Sequence, residues 1–189
     1  MKLLEERILK DGVAVDEEIL HVETFLNHQV DPELMVKCAK DFAAHFKGLG
    51  ITKVVTIESS GIAPALLTAL EMGVDLVILK KQAKKIMTEE VYQTMVTSFT
   101  KGTSYELTLS KEVIGEKDHV LIIDDFLANG EAATGVIRLL RMAHATVAGV
   151  GVLIEKSFQP GRDKLTDAGF EVYSLARISS MSKDSITFA

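Results

Sequence analysis

Two adjacent carboxylates, Asp124 and Asp125, are the residues of this chain best placed for chemistry. They follow four apolar residues, 120–123, and precede a short glycine-containing loop, 128–132, that leads into a helical pattern. Polar residues at the carboxyl end of a parallel strand lie where open α/β sheets bind ligands, and free N–H groups before a helix bind anions. An isolated Asp pair is more often a solvent-exposed strand end. The flanking strand, loop and helix favour a sugar-phosphate site, in which the acids accept hydrogen bonds from ribose hydroxyls and the loop holds a phosphate.

A second loop of this kind, Glu-Ser-Ser-Gly at 58–61, follows the β-branched run 53–57 and precedes an apolar helical segment. The residues alone leave two interpretations open. In one, Ser59 or Ser60 caps the following helix. In the other, the backbone amides of the loop bind an anion.

Positive charge is concentrated at the start of the segment 80–102, where Lys80, Lys81, Lys84 and Lys85 fall within six residues. A lysine run is most often a solvated surface. The segment has no sustained helical period, however, and a long insertion in a compact domain is commonly a functional lid. A lid that closes over a phosphate would bring its lysines onto the anion and exclude water.

The surrounding sequence predicts alternating strands and helices. Asp31 and Pro32 resemble a helix N-cap and a first helical residue, and apolar residues then recur every four residues up to Phe46. His144 follows the helical pattern at 130–143, where a left-handed C-cap residue is expected. Apolar runs predict strands at 53–57, 74–79, 119–123 and 146–154, with a further helix at 62–72. This alternation predicts an α/β fold with a mainly parallel central sheet flanked by helices.

Composition limits the class of protein. The chain has 189 residues, 21 basic and 27 acidic side chains, a formal charge of −6 and one cysteine. This length suits one domain. Cys38 cannot form an internal disulfide, which favours a reducing compartment, and it lies on an apolar helix face where packing is its expected role. No apolar run approaches the ~18 residues of a membrane span, and the N-terminus lacks a signal-peptide core. We therefore expect a cytoplasmic protein that binds neither membranes nor nucleic acid.

A family resemblance is carried by four stretches in the same order along the chain: HVETFLNHQVDP, ITKVVTIESSGIAPA, VLIIDDFLANGEAATG and GVLIEKSFQPGRDKL. Together they resemble the bacterial xanthine phosphoribosyltransferases, a group within the type I phosphoribosyltransferases. The third stretch is similar to the motif with which the superfamily binds phosphoribosyl pyrophosphate (PRPP). Thr or Ser is common in the superfamily where Asn129 and Ala132 stand here, so this loop must bind phosphate mainly through backbone N–H groups and the Asn129 amide.

The resemblance also implies the architecture and the role of each loop. The type I phosphoribosyltransferase fold would span residues 1–189 as a single domain, with a small hood mainly from residues 1–31 and a flexible lid at about 80–102. Asp124 and Asp125 would contact the ribose hydroxyls. The 5′-phosphate would be bound by Ala128, Asn129, Gly130, Glu131 and Ala132. The pyrophosphate would be bound by Ser59, Ser60, Gly61, Lys81 and Lys84.

Recognition of the base rests on three residues. Leu20, Asn27 and Lys156 occupy positions that contact xanthine in the family, and a lysine and an amide suit the two carbonyl groups of xanthine. Adenine would instead present an amino group to Lys156. Without the resemblance, Asn27 would be interpreted as a turn residue and Lys156 as a strand-end charge. Phe126 and Phe158 would stack on the base, although a Phe beside an apolar strand is more often core.

The reaction implied by the resemblance is displacement of pyrophosphate from C1 of PRPP by a ring nitrogen of xanthine, which gives xanthosine 5′-monophosphate in purine salvage. Mg²⁺ would be held mainly through PRPP, without a dedicated protein cage, and the enzyme would be a homodimer. Two alternatives stay open. One is a preference for adenine, guanine or hypoxanthine, and the other is a PRPP-sensing regulator. The regulator is the weaker alternative, because residues 1–50 carry ten acidic and six basic side chains and leave no room for a DNA-binding domain.

Overall fold

The structure of the protein, a computed structural model, describes residues 1–82, 90–98, 103–183 and 185–189. The helices are α1 (Lys2–Asp11), α2 (Pro32–His45), α3 (Ile62–Met72), α4 (Glu131–Met142) and α5 (Gly161–Asp167), and a π-helical turn covers Glu23–Asn27. The strands are β1 (Val13–Ala14), β2 (Leu20–His21), β3 (Lys53–Ile57), β4 (Asp75–Gln82), β5 (Val91–Ser98), β6 (Thr103–Ser110), β7 (His119–Leu127), β8 (Thr146–Lys156), β9 (Val172–Ser182) and β10 (Ser185–Phe188).

One sheet of eight described strands, in the order β10-β9-β8-β7-β3-β4-β6-β5, organises the molecule. The five central strands, β9, β8, β7, β3 and β4, are parallel, and the outer pairings β10–β9, β4–β6 and β6–β5 are antiparallel. The prediction of a mainly parallel sheet in an α/β fold is confirmed. Because parallel strands end at the same edge, the residues that follow β3 and β7 lie beside each other.

Hydrophobic layers cover both faces of the sheet, and β7 contributes alternately to each. Leu121 and Ile123 pack in a cluster with residues of α1, α2 and α3, including Leu4 and Phe42. Val120 and Ile122 belong to the opposite cluster, to which α4 and α5 contribute. Burial on both faces explains why the central strands are continuously apolar in sequence.

Two local predictions about helix ends are confirmed. The side chain of Asp31 accepts a hydrogen bond from the backbone N–H of Leu34 at 3.0 Å, and Pro32 is the first residue of α2. His144 has a φ of 59°, in the left-handed region, directly after α4. The seven strands and helices predicted between residues 31 and 154 all form within a few residues of the expected ends.

The expected lid contains regular structure. Strand β5 pairs with β6 along its whole length, from Val91 opposite Ser110 to Ser98 opposite Thr103. This hairpin packs on α4, since Arg138 Nη2 donates to the carbonyl of Met95 at 2.7 Å and a Cβ on Gly135 would lie 2.5 Å from Val96. The remainder of the expected lid, 83–89 and 99–102, lies outside the described residues, so lid closure stays a prediction.

The expected hood consists of α1, the β1–β2 pair and the π-helical turn. Leu4 and Ile8 anchor α1 in the hydrophobic cluster beneath it. Among the helices that the structure describes, none is both long and apolar enough to cross a membrane.

Candidate active site

The acid pair lies at the carboxyl end of β7, as predicted. Asp124 and Asp125 are both half-buried. The backbone N–H of Asp125 donates to Asp124 Oδ1 at 2.9 Å, and the N–H of Phe126 donates to Asp125 Oδ1 at 3.0 Å. Burial and the neighbouring Asp125 raise the pKa of Asp124 well above its usual value, while Lys81 opposes that rise. In the free site burial and mutual repulsion therefore oppose ionisation of both carboxyls, and a cation or a developing positive charge beside them would favour the charged forms.

The loop after β7 has the geometry of a phosphate cradle. Gly130 has a φ of 78°, and α4 begins at the next residue. The Gly130 carbonyl accepts hydrogen bonds from the N–H of Thr134 at 2.9 Å and from its hydroxyl at 2.8 Å, which fixes the loop to the helix. A cavity of about 380 Å³ lies against this loop and is lined by all five predicted phosphate-binding residues, 128–132.

The second loop, 58–61, stands beside the acid pair at the carboxyl end of β3. The Glu58–Ser59 peptide bond is cis. Gly61 is the N-cap residue of α3 and neither Ser59 nor Ser60 caps that helix through its side chain, so the capping interpretation is wrong. A cavity of about 510 Å³ is lined by Ser59, Ser60, Gly61 and both aspartates.

The two cavities form one cleft, because Lys81, Asp124, Phe126 and Ala132 line both. The loops 128–132 and 58–61 and the carboxylate pair therefore line one cleft. A ligand with a phosphate at each end of a sugar has the shape that this arrangement would accept.

Lys80 and Lys81, which the structure describes near the end of β4, contact Glu58 in different ways. Its carboxylate accepts a hydrogen bond from the backbone N–H of Lys81 at 2.7 Å and pairs with Lys80 Nζ at 3.2 Å. Lys80 is thus held by an acid, whereas Lys81 lines the cleft, with its Nζ 5.2 Å from the centroid of the Tyr105 ring. Lys84 and Lys85 lie outside the described residues.

The predicted base-binding residues lie on separate elements that are partly brought together. Lys156 ends β8, donates to the backbone carbonyl of Glu18 and faces the Phe126 ring at 5.5 Å from its centroid. Burial lowers the pKa of Lys156, although Glu18 and Asp16 oppose that shift. Leu20 and Phe126 pack in the same hydrophobic cluster. These contacts place an ammonium beside an aromatic ring at the end of β8.

Asn27 and Phe158 are less closely associated with Lys156. Asn27 is exposed at the end of the π-helical turn, and Phe158 is 41% exposed in the turn that follows Lys156. Within the described ranges, no hydrogen bond joins either residue to Lys156. Their contacts with a base stay predictions.

The sequence motifs do not indicate several residues of the cleft. They indicate Glu58 only as part of its loop, and no motif predicts the β5–β6 hairpin, from which Thr97, Thr103 and Tyr105 line the 380 Å³ cavity. Burial and the charge of Asp124 raise the pKa of Tyr105. The alternation of Tyr105, Leu107 and Leu109 is the sequence signal that would have predicted β6.

The single cysteine is not placed for nucleophilic chemistry. Cys38 is buried in the core, and burial raises its pKa to about 12. In the described part of the chain, no group of three or more His, Cys, Asp or Glu side chains is arranged to hold a metal ion.

Comparisons with known proteins agree with this geometry. The family model described as "Phosphoribosyl transferase domain" matches residues 32–175. The chain is 65% identical to a xanthine phosphoribosyltransferase of Agathobacter rectalis, over 100% of this chain and 98% of that protein. It is 60% identical to xanthine phosphoribosyltransferase 1 of Clostridium botulinum, over 100% and 99% of the two chains. Among solved structures, adenine phosphoribosyltransferase from Rhodothermus marinus superposes with a TM-score of 0.76, at 23% identity over 94% of this chain and 100% of that one, which is a likeness of fold.

Proposed function

The chain belongs to the phosphoribosyltransferase family, and we propose that it transfers the 5-phosphoribosyl group of PRPP to xanthine, giving xanthosine 5′-monophosphate and pyrophosphate. This makes it a pentosyltransferase of purine salvage. The observation that carries the proposal is the shared cleft, in which Lys81 and Asp124 line both anion-binding cavities. Full-length relatives named for xanthine support the choice of base.

We propose a place in the cleft for each part of PRPP. The loop 128–132 holds the 5′-phosphate through backbone N–H groups and the Asn129 amide, and the loop 59–61 faces the pyrophosphate at C1. The sugar then lies between them, with its two hydroxyls next to Asp124 and Asp125. This orientation supports the roles proposed for the acid pair and for both loops.

The reaction breaks the bond between C1 and the pyrophosphate oxygen and forms a bond between C1 and a ring nitrogen of xanthine, which loses its proton. Positive charge develops on the ribose ring and negative charge on the leaving group. Asp124 and Asp125 stabilise the positive charge, while loop amides and Lys81 stabilise the pyrophosphate. Catalysis is therefore mainly positioning and electrostatic stabilisation.

The acid pair also fits Mg²⁺. Mg²⁺ binds carboxylate oxygens and usually takes one or two of them together with substrate phosphates and water. Asp124 and Asp125 supply carboxylates at the edge of a cleft that accepts pyrophosphate. When bound, the ion would supply positive charge beside the pyrophosphate. We propose that PRPP supplies most of its ligands.

Selection of the base depends on Lys156. Its ammonium is half-buried and already donates to a carbonyl oxygen, that of Glu18. A xanthine carbonyl is an equivalent acceptor and can replace Glu18. Adenine carries an amino group at one of these positions and would leave the ammonium facing donors, which costs binding free energy.

A homodimer is the assembly that we propose. Helix α3 directly follows the loop 58–61, here called the pyrophosphate loop. It exposes Leu66 (53% exposed) and Leu70 (74% exposed), which lie one helical turn apart. Such an apolar surface suits a second copy of the chain. Sedimentation velocity should give twice the chain mass, and Leu66→Glu with Leu70→Glu should give the monomer.

The expected location of the protein is the cytoplasm.

Steady-state turnover of PRPP with each purine base tests the function. The expected result is release of pyrophosphate with xanthine and a much lower kcat/KM with adenine. A preference for adenine would contradict the assignment of Lys156. Binding of PRPP without turnover of any base would instead favour a PRPP-sensing regulator.

A further inference from the structure

The turn after Lys156 leads to a contact between two glycines that the mechanism above does not use. Gly161, the first residue of α5, donates its N–H to the carbonyl of Ala128 at 2.9 Å. A Cβ on Gly161 would lie 2.2 Å from that oxygen and 3.0 Å from the amide nitrogen of Gly130. A Cβ on Gly130 would lie 3.1 Å from the Cα of Gly161. The Leu127 side chain would also lie close, with its Cδ1 at 2.9 Å, but the shortest contact is with backbone and no side-chain rotation can relieve it.

Helix α5 makes a second contact with the loop 128–132, here called the phosphate loop. Lys164 Nζ forms an ion pair with Glu131, the one acid in the loop 128–132. An unpaired carboxylate at this position would repel a bound phosphate. Lys164 therefore neutralises the one charge of the loop that opposes its ligand.

Buried polar contacts fix α5 to the sheet. Glu155 is 1% exposed and accepts hydrogen bonds from Arg162 Nε at 2.8 Å and Nη2 at 2.6 Å, and from the Ser174 hydroxyl at 2.5 Å. Arg162 Nη1 also donates to the carbonyl of Val172 at 2.9 Å. Burial raises the pKa of Glu155, but these hydrogen bonds outweigh it and hold that pKa below its usual value. A bidentate pair of this kind fixes geometry as well as charge.

We propose that α5 is a brace that holds the phosphate loop at a set distance from Lys156, with Gly161 and Lys164 as positioning residues for the 5′-phosphate of PRPP. Glu155, which anchors the brace, directly precedes Lys156 in β8. The short segment 155–164 therefore carries Lys156, proposed to bind the base, near one end and the residues that contact the loop 128–132 near the other. The inference rests on the proposed function, since it assigns the 5′-phosphate to the loop 128–132.

Gly161→Ala tests the close approach. The new methyl group must push the Ala128 carbonyl away by about 1 Å, and a misplacement of that size costs about 100-fold in rate. We expect kcat/KM for PRPP to fall by about this factor and the Kd for ribose 5-phosphate to rise. The KM for xanthine at saturating PRPP and inhibition by pyrophosphate should stay close to wild type. Gly115→Ala is the matched control, because a Cβ there meets no atom within 4 Å.

Lys164→Met tests the brace without adding bulk beside the loop, and it remains informative if Gly161→Ala does not fold. We expect weaker binding of ribose 5-phosphate, with a deficit that shrinks as ionic strength rises because salt screens the freed Glu131 carboxylate. The double variant with Glu131→Gln should recover most of the affinity. A purely structural role for Lys164 would predict neither the salt dependence nor the recovery.

The outcomes separate the brace from the proposed function. If the wild-type enzyme forms xanthosine 5′-monophosphate but Gly161→Ala binds ribose 5-phosphate as wild type does, the brace is wrong and the function stands. If the wild-type protein turns over no base, the function is wrong. The ribose 5-phosphate titrations still test the brace in that case, since they need neither base nor turnover.

Discussion

The ammonium of Lys156 lies 5.5 Å from the centroid of the Phe126 ring, so the end of β8 faces the residue after the acid pair. This distance is within the range of a cation–π interaction. Phe126 therefore contacts the proposed base-recognition group directly, as well as lining the cleft. An aromatic face and an ammonium together suit a flat base with carbonyl groups.

Lys156→Met should impair the use of xanthine selectively. Loss of a hydrogen bond from a charged donor lowers kcat/KM for xanthine by about 10- to 100-fold, while the KM for PRPP stays near wild type. Initial rates over both substrates measure this. Lys111→Met is a matched control, since Lys111 lies 5.4 Å from the Tyr92 ring and outside the cleft. A rise in the KM for PRPP instead would show that the assignment of Lys156 to the base subsite is wrong.

Asp124→Asn with Asp125→Asn should abolish most activity without unfolding the protein. The substitutions remove negative charge where the ribose ring becomes positive, and loss of such stabilisation costs roughly 1,000-fold or more in kcat/KM. Circular dichroism should show a native fold. Near-normal turnover would exclude these carboxylates from catalysis.

The same pair makes a prediction about stability. The pKa of Asp124 is raised in the folded protein, so the folded state binds this proton more tightly than the unfolded state does. The contribution of Asp124 to stability therefore falls as pH rises from its unfolded pKa through its raised folded pKa. Asp124→Asn should raise Tm at pH 8 and change it little at pH 3. A lower Tm at pH 8 would show that the Asp124 charge stabilises the fold.

Lys81→Met should impair catalysis far more than Lys80→Met. The two lysines are adjacent, but Lys80 pairs with Glu58 whereas Lys81 lines both cavities. We expect Lys81→Met to lower kcat/KM for PRPP by about 10- to 100-fold through the lost contact with pyrophosphate. Lys80→Met serves as the matched control. Equal effects of the two substitutions would show that only the total charge matters.

The strands and helices that local pattern specifies were predicted correctly, and those that depend on tertiary pairing were not. The run at 120–123 is apolar because both faces of β7 are buried, and that burial is visible in sequence. Strand β5 contains Gln93, Thr94 and Thr97, and its position depends on pairing with β6 and packing on α4. No local pattern specifies such a pairing.

The contrast between features specified by local pattern and features that depend on tertiary contacts also applies to the site. Asp124 and the loop after it lie on one continuous strand–loop–helix segment, so their proximity follows from sequence. Gly161 contacts Ala128 from 33 positions away, a separation that no motif spacing encodes. The stretch that contains Gly161 supports the family resemblance, but the contact of this glycine with Ala128 is visible only in the folded chain.

Gly61→Ala should displace the pyrophosphate loop, and adding Thr56→Ala to the same variant should reduce that displacement. A Cβ on Gly61 would lie 2.4 Å from the Thr56 hydroxyl oxygen and 3.1 Å from Asp124 Oδ1. Overpacking of this kind destabilises by about 1–3 kcal/mol, and the displaced loop should bind pyrophosphate about 10- to 100-fold more weakly. Product inhibition by pyrophosphate and denaturant unfolding measure the two effects.

The double variant identifies which contact matters. Thr56 is fully buried, and its hydroxyl has no hydrogen-bond partner among the residues that the structure describes, so removing it sacrifices no bond. If the hydroxyl is the main obstacle, Thr56→Ala with Gly61→Ala should bind pyrophosphate more tightly than Gly61→Ala alone, which gives a non-zero coupling energy in the double-mutant cycle. Strict additivity would instead assign the whole effect to the contact with Asp124, and Gly61 would then be required by the catalytic carboxylate itself.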